Sequence, residues 1–174
     1  MSEKSQAQLL KDRLFNKNKN GYFRASENDI DSAFDFANDY SKFLNESRTE
    51  RIFVKNAITL AENHGFTEFD RSKTYAPGDK VYVNNRGKAL MLCVIGKEPI
   101  SNGVMIAAAH IDSPRIDLKA NPLYENDGLA YFKTHYYGGI KKYQWPAIPL
   151  ALYGTVVKAD GSVIDISIGD SDDE

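Results

Sequence analysis

The sequence predicts an α/β fold on three observations, although helices first and strands later are also compatible with α+β. Apolar residues recur at helical spacing in the first third. After Gly65 the pattern changes to short β-branched and aromatic runs cut by turn residues, and one segment, Val104–Ala109, is apolar at every position. Such a segment suits a strand covered on both faces inside a sheet, although periodicity alone leaves a buried helical piece open.

Residues 1 to about 25 are polar, with a short helix through Leu9, Leu10 and Leu14 and a loop at Asn16–Gly21. From Ser26 onward Ile30, Phe34, Ala37 and Leu44 form an apolar stripe, and acidic residues fill the first turn, favourable at the positive end of a helix. A second helix is expected from Ser47, where Ser47-Arg-Thr-Glu50 matches a capping box. Its stripe is Val54, Ile58 and Ala61, and Gly65 after His64 is a suitable stop.

Pro77-Gly78-Asp79 and Asn84–Gly87 then punctuate short runs that read as two strands, Lys80–Val83 and Ala89–Ile95, joined by a turn. Leu129–Tyr137 reads as a further strand, and Leu150–Val157 with Val163–Ile168 as a hairpin around Asp160-Gly161. No internal repeat is evident.

The chain has 174 residues, 42% of them hydrophobic and 26% charged, which fits one globular domain or a large piece of a bigger one. Lys and Arg number 22 against 24 for Asp and Glu, and the net charge of -2 gives no broad attraction to nucleic acid or an anionic membrane. The single cysteine, Cys93, lies in an apolar run and is expected to be a buried structural thiol. The first residues lack a signal-peptide core and no apolar run is long enough to span a bilayer, so a cytoplasmic location is expected. The acidic tail Gly169–Glu174 reads as solvated. Phosphate-loop, G-x-S-x-G, H-E-x-x-H and paired C-x-x-C motifs are absent.

What remains for chemistry is His110-Ile111-Asp112, directly after the all-apolar segment and before Ser113-Pro114. In extended backbone, residues two apart point to one side, so imidazole and carboxylate can emerge together at the sheet edge where α/β folds bind ligands. Such a pair can serve as a zinc ligand and the carboxylate that holds its ring. It can equally be a hydrogen-bonded strand-end histidine with an aspartate capping the next turn. His64 at a helix end reads as bonded to free carbonyls. His135, on a Tyr- and Phe-rich strand, can be packed or groove-facing and stays unassigned.

The block Ala107-Ala-Ala-His-Ile-Asp-Ser-Pro-Arg-Ile-Asp-Leu-Lys119, with Asn121-Pro-Leu-Tyr-Glu125, Tyr137-Gly-Gly139 and Trp145, closely resembles the aspartyl-aminopeptidase-like family of two-zinc metallo-aminopeptidases. The resemblance runs over nearly the whole chain. It implies a zinc-peptidase mixed sheet with flanking helices, followed by the start of a β-rich inserted dimerisation domain. Residues 1–147 would be the N-terminal part of the catalytic domain and residues 148–174 the opening of the insertion. It also implies zinc as cofactor (two ions in the complete enzyme), peptides as substrate and a homo-oligomer built through the insertion. Of the site residues it makes His110 a metal ligand and gives Asp112 the supporting role in the catalytic centre.

The family's bridging carboxylate, glutamate base, further acidic ligands and second histidine would follow Glu174, so the chain alone is expected to be inactive. At the position where aspartyl-specific members carry a histidine, two before Trp145, this sequence has Tyr143, which places it nearer the bacterial branch. No substrate-binding residue is assigned. Lys141 and Lys142 are candidates for greeting an acidic group but read first as surface lysines. The competing expectation, from another class, is a non-catalytic assembly module whose strands from Leu150 onward pair with another subunit.

Overall fold

A computed structural model describes residues 5–15 and 20–170. Most of the loop expected at Asn16–Gly21 and the end of the acidic tail lie outside the described residues. The chain divides into two compact units, residues 1–42 and 43–174.

In the first unit, α1 (Gln6–Leu14) begins with a reciprocal cap: Ser5 Oγ accepts from Gln8 N, and Gln8 Oε1 accepts from Ser5 N. A single 3₁₀ turn at Gly21–Phe23 leads to α2 (Glu27–Asn45), whose last residues belong to the second unit. Ser26 and Asp29 form another such box, with Asp29 Oδ2 accepting from Ser26 N at 2.9 Å and Ser26 Oγ accepting from Asp29 N at 3.2 Å. The predicted stripe on α2 exists as a helix face, but no residue of α2 is buried.

The second unit is organised on α3 (Glu50–Asn63), which packs on β2 (Lys80–Asn85) and β3 (Ala89–Val94). Together with β1 (Thr67–Glu68), which pairs in parallel with β2, these strands make a sheet of order β1-β2-β3. Its core is Val54, Ala61, Val81 and Tyr82, with Ser47 the buried polar residue beside it. The helix starts differently from expectation. Thr49 is the N-cap, its hydroxyl accepting from Ile52 N. Ser47 instead accepts from Asn56 Nδ2 at 3.1 Å, and Glu50 is drawn to Arg115, so the expected Ser47–Glu50 box does not form. Gly65 closes the helix at φ 82°, a left-handed conformation that glycine adopts without Cβ strain.

Three further expectations are corrected. Cys93 is exposed, because β3 is an edge strand and only part of the three-stranded sheet is covered by α3. Val104–Ala109 forms no strand: it has no ladder partner among the described residues, and Val104, Met105 and Ile106 are exposed. Finally, the strand Leu129–Tyr137, β5, pairs with an unexpected one, β4 (Arg115–Asn126). The ladder jumps from Leu118↔Thr134 to Leu123↔Phe132, leaving Lys119–Pro122 as an irregular bulge, where Pro122 has no N–H to donate. β6 (Leu152–Val157) and β7 (Val163–Ile168) form the predicted hairpin, tied back by Lys55–Asp165 at 3.8 Å and Arg48–Asp170 at 3.7 Å.

The α3–sheet contact has a titratable element. Tyr82 donates its hydroxyl to Glu62 Oε1 at 2.8 Å, and that bond, with burial and the negative charges of Glu62 and Glu68, pushes the phenol from 10.0 up to about 12. The unfolded chain therefore gives up this proton first as pH rises. Stability from the contact is complete below pH 10 and is lost between pH 10 and about 12. The expected loss is about 2–3 kcal/mol. Urea midpoints across that window should fall more steeply for the wild-type chain than for Tyr82→Phe, and parallel curves would contradict the assignment.

Candidate metal centre

The segment after Ile106 runs through His110, Asp112 and Pro114 into β4, whose first residue, Arg115, is the cross-strand partner of Tyr137 on β5. Immediately after Tyr137 the chain turns at Gly138, with φ 79°; a Cβ there would lie 3.4 Å from Pro114 Cα. This close approach brings the end of the β4–β5 ladder against the His110–Asp112 segment.

His110 and Asp112 are brought together, though not by strand alternation. His110 Nδ1 is 2.9 Å from the Asp112 carbonyl oxygen and 3.3 Å from Asp112 Oδ1. A carbonyl can only accept, so Nδ1 carries the hydrogen, and in the neutral imidazole Nε2 keeps its lone pair. With the imidazole side chain 83% exposed, that lone pair is accessible.

The Asp112 carboxylate is itself perturbed. The nearby Tyr137 hydroxyl is the main cause that keeps its pKa below the usual carboxylate value, with its own backbone and His110 adding to the effect against burial. The same interaction raises the pKa of Tyr137. Behind Tyr137 stands Arg115, its guanidinium carbon 4.0 Å from the ring centroid. Arg115 Nε donates to Asp117 Oδ1 at 2.7 Å, and a terminal guanidinium nitrogen is 2.9 Å from Glu50 Oε1 of α3. Burial opposes the Arg115 charge, but the Asp117 bond and the attraction of Glu50 and Asp117 outweigh it and raise the pKa.

This arrangement offers one imidazole nitrogen with its ring oriented from the other side, which is how zinc-binding histidines are held. Zinc needs three or four donors. Among the described residues no group of three or more His, Cys, Asp or Glu side chains gathers to hold an ion. His110 and Asp112 thus fit one corner of a metal centre.

The other candidates lie apart from that pair in function. His64 donates through Nδ1 to Leu60 O at 2.8 Å, the helix-end interaction expected of it. His135 stacks on Tyr136, with ring centroids 5.4 Å apart, and lines an open groove of about 410 Å³ with Ile116, Lys142 and Trp145. It is groove-facing. Lys142 sits 4.1 Å over the Tyr136 ring, while Lys141 is exposed. Tyr137, Arg115 and Glu50 were not singled out by sequence as site residues; only the place of Arg115 and Tyr137 inside the recognised blocks hinted at two of them.

The profile of one protein family, described as aminopeptidase I zinc metalloprotease (M18), matches residues 43–173. The chain belongs to the M18 aminopeptidase family. A probable M18 family aminopeptidase 1 of Clostridium acetobutylicum is 43% identical over 165 residues, covering 92% of this chain and 36% of that relative. The crystal structure of aminopeptidase I from Borrelia burgdorferi superimposes with TM-score 0.82 at 36% identity, over 90% of this chain and 39% of that one. The M18 aminopeptidase structure from Thermotoga maritima gives 0.78 at 38% identity, over 92% and 35%. The chain therefore spans about a third of the length of the M18 relatives it matches. The mixed α/β architecture is that of the corresponding part of these M18 structures.

Proposed function

We propose that this chain is the N-terminal part of a metallo-aminopeptidase that removes N-terminal residues from peptides with two zinc ions, contributing His110 as a ligand and Asp112 as the residue that orients it. The observation that carries this reading is the Nδ1–H bond from His110 to Asp112, which leaves Nε2 free to coordinate. Membership of a family described as zinc metalloproteases supports zinc as the ion. When bound, zinc lowers the pKa of a coordinated water to about 7 and polarises the scissile carbonyl. His110 would supply one donor, its Nε2. Asp112, through its backbone carbonyl and carboxylate, keeps the proton on Nδ1 and the imidazole in one rotamer.

One donor does not complete a two-metal centre, so the 174-residue chain alone is inactive in this reading, and the remaining ligands and the general base come from other residues of the complete enzyme. In this reading residues 148–174 would be the opening of an inserted domain. In the longest product of the encoding gene, a strong zinc chelator should abolish hydrolysis of aminoacyl anilides and added zinc should restore it. Activity that survives complete zinc removal would overturn the reading.

The hairpin favours a second role beside the first, pairing with another copy of the chain. It has only two strands, and Val157, Val163 and Ile168 are 67%, 60% and 54% exposed on it. Uncovered strand edges of this kind invite pairing. Light scattering on the same sample should report an oligomer, and a monomer at micromolar concentration would overturn this part.

No helix among the described residues is long and apolar enough to cross a membrane.

A further inference from the structure

The groove on the β4–β5 ribbon has no part in the reading above. Ile116 and Tyr136 are cross-strand partners and share one face of the ribbon. The chain that follows β5 adds Ile140, Lys142 and Trp145, and with His135 these residues line an open space of about 410 Å³, within the range of small-ligand clefts. Ile116, Ile140 and Trp145 are half-buried, so the groove has apolar and aromatic walls.

Its charge has one sign. Residues 128–159 carry four lysines, Lys133, Lys141, Lys142 and Lys158, and no aspartate or glutamate, in a chain whose net charge is -2. Asp117, the carboxylate opposite His135 across the ladder, is already engaged by Arg115, whose Nε donates to it at 2.7 Å. Lys142 lies 4.1 Å over the Tyr136 ring, which places its ammonium at the groove, and among the described residues it makes no ion pair. An apolar cleft with one unneutralised cation complements a ligand segment that carries an apolar side chain and a carboxylate.

The groove is also within reach of the candidate metal ligand. Ile116 is six positions after His110, so at most about 20 Å of chain separates them. Gly138 lies against Pro114, which brings the turn after β5 and the segment before β4 to the same end of the ribbon. An extended peptide advances about 3.3 Å per residue, so a substrate held at the metal by its first residue spans that distance in about six residues. We propose that this groove is a subsite for the downstream part of a peptide substrate: Ile116, Tyr136, Ile140 and Trp145 take an apolar side chain, and Lys142 takes an acidic one, from residues that follow the scissile bond. This rests on the reading of the chain as part of an aminopeptidase and adds a substrate class, peptides with an acidic residue downstream, whatever N-terminal residue is released.

The test is kcat/KM of the longest product of the gene on heptapeptides that share one N-terminal residue and carry a single glutamate at each downstream position in turn, every peptide paired with its glutamine twin. Both members of a pair are measured on one preparation, so a variant that loses folding or zinc slows both alike and leaves their ratio unchanged. Wild type should prefer glutamate by about 3- to 5-fold at one or two adjacent positions, the strength of an exposed ion pair, and added salt should erode the preference. The preference should vanish in Lys142→Gln and persist in Lys142→Arg, which keeps the charge. Equal rates for glutamate and glutamine at every position, or a preference that survives Lys142→Gln, would overturn the subsite and leave the aminopeptidase reading standing. Absence of zinc-dependent hydrolysis of every peptide overturns both.

Discussion

His110→Ala in the longest product of the gene should lower its zinc content and reduce aminoacyl-anilide hydrolysis to background. The imidazole is the one donor in the His110–Asp112 segment whose free nitrogen faces solvent, its other nitrogen being committed to Asp112. Removing a ligand differs in kind from removing its orienting partner. The metal loses a bond rather than a preference, and catalysis that depends on an activated water loses its source. A fall of at least three orders of magnitude in kcat/KM is expected, equivalent to about 4 kcal/mol of transition-state stabilisation. The metal-free stability should hardly change, since His110 is exposed and packs against little. Zinc content by elemental analysis and kcat/KM on the same preparation check both parts. A variant that retains full activity would remove His110 from the site.

The largest effect on folding should come from Val54→Asp. Val54 is the most deeply buried side chain among the described residues, 1% exposed, on the face of α3 that packs against β2 and β3. The core there is small, so each member carries a large share. A carboxylate placed among Val81, Tyr82 and Ala61 would have no cationic partner and would have to stay protonated or draw water in. An uncompensated buried charge costs about 3–5 kcal/mol, a large part of the 5–15 kcal/mol typical of a whole domain. The variant should lose cooperative unfolding in urea. Leu60→Gln, at a half-exposed position of the same helix, serves as the control and should stay within about 0.5 kcal/mol of wild type. Equal midpoints for Val54→Asp and wild type would show that α3 is not the organising element of the second unit.

Local patterns in the sequence carried α1, α2, α3, β2, β3, β5 and the β6–β7 hairpin, because each depends on spacing and turn residues that act over a few positions. Val104–Ala109 failed for the opposite reason. An all-apolar run encodes the burial a strand would have once neighbours cover both faces, and a strand exists only where a ladder partner lies alongside. β4 was hidden by Asp117, Lys119 and Pro122, residues that the bulge at Lys119–Pro122 accommodates. The start of α3 offered two hydroxyls. Thr49 won the cap because Ser47 is held by Asn56 nine residues away, a contact no local motif encodes.

At the site, His110 and Asp112 were legible as a motif, whereas the contacts behind them were not. Tyr137 influences the Asp112 carboxyl from 25 positions away in sequence, and Arg115 reaches Glu50 of α3 across 65. Both depend on the β4–β5 register and on the packing of the second unit, and neither residue type announces such a partner. The Tyr137-Gly-Gly139 block marked the place. Gly138 is favoured there because its φ of 79° is a left-handed conformation that glycine adopts without Cβ strain.

The central claim, that this chain is the part of an M18 aminopeptidase that supplies His110 to a zinc centre, is tested most directly by zinc stoichiometry and aminoacyl-anilide hydrolysis. Both should be measured side by side on the 174-residue chain and on the longest product of its gene. Tightly bound zinc and turnover in the longer product, with neither in the 174-residue chain, is the predicted result. Neither zinc nor turnover in both, or full activity in the 174-residue chain alone, would contradict it.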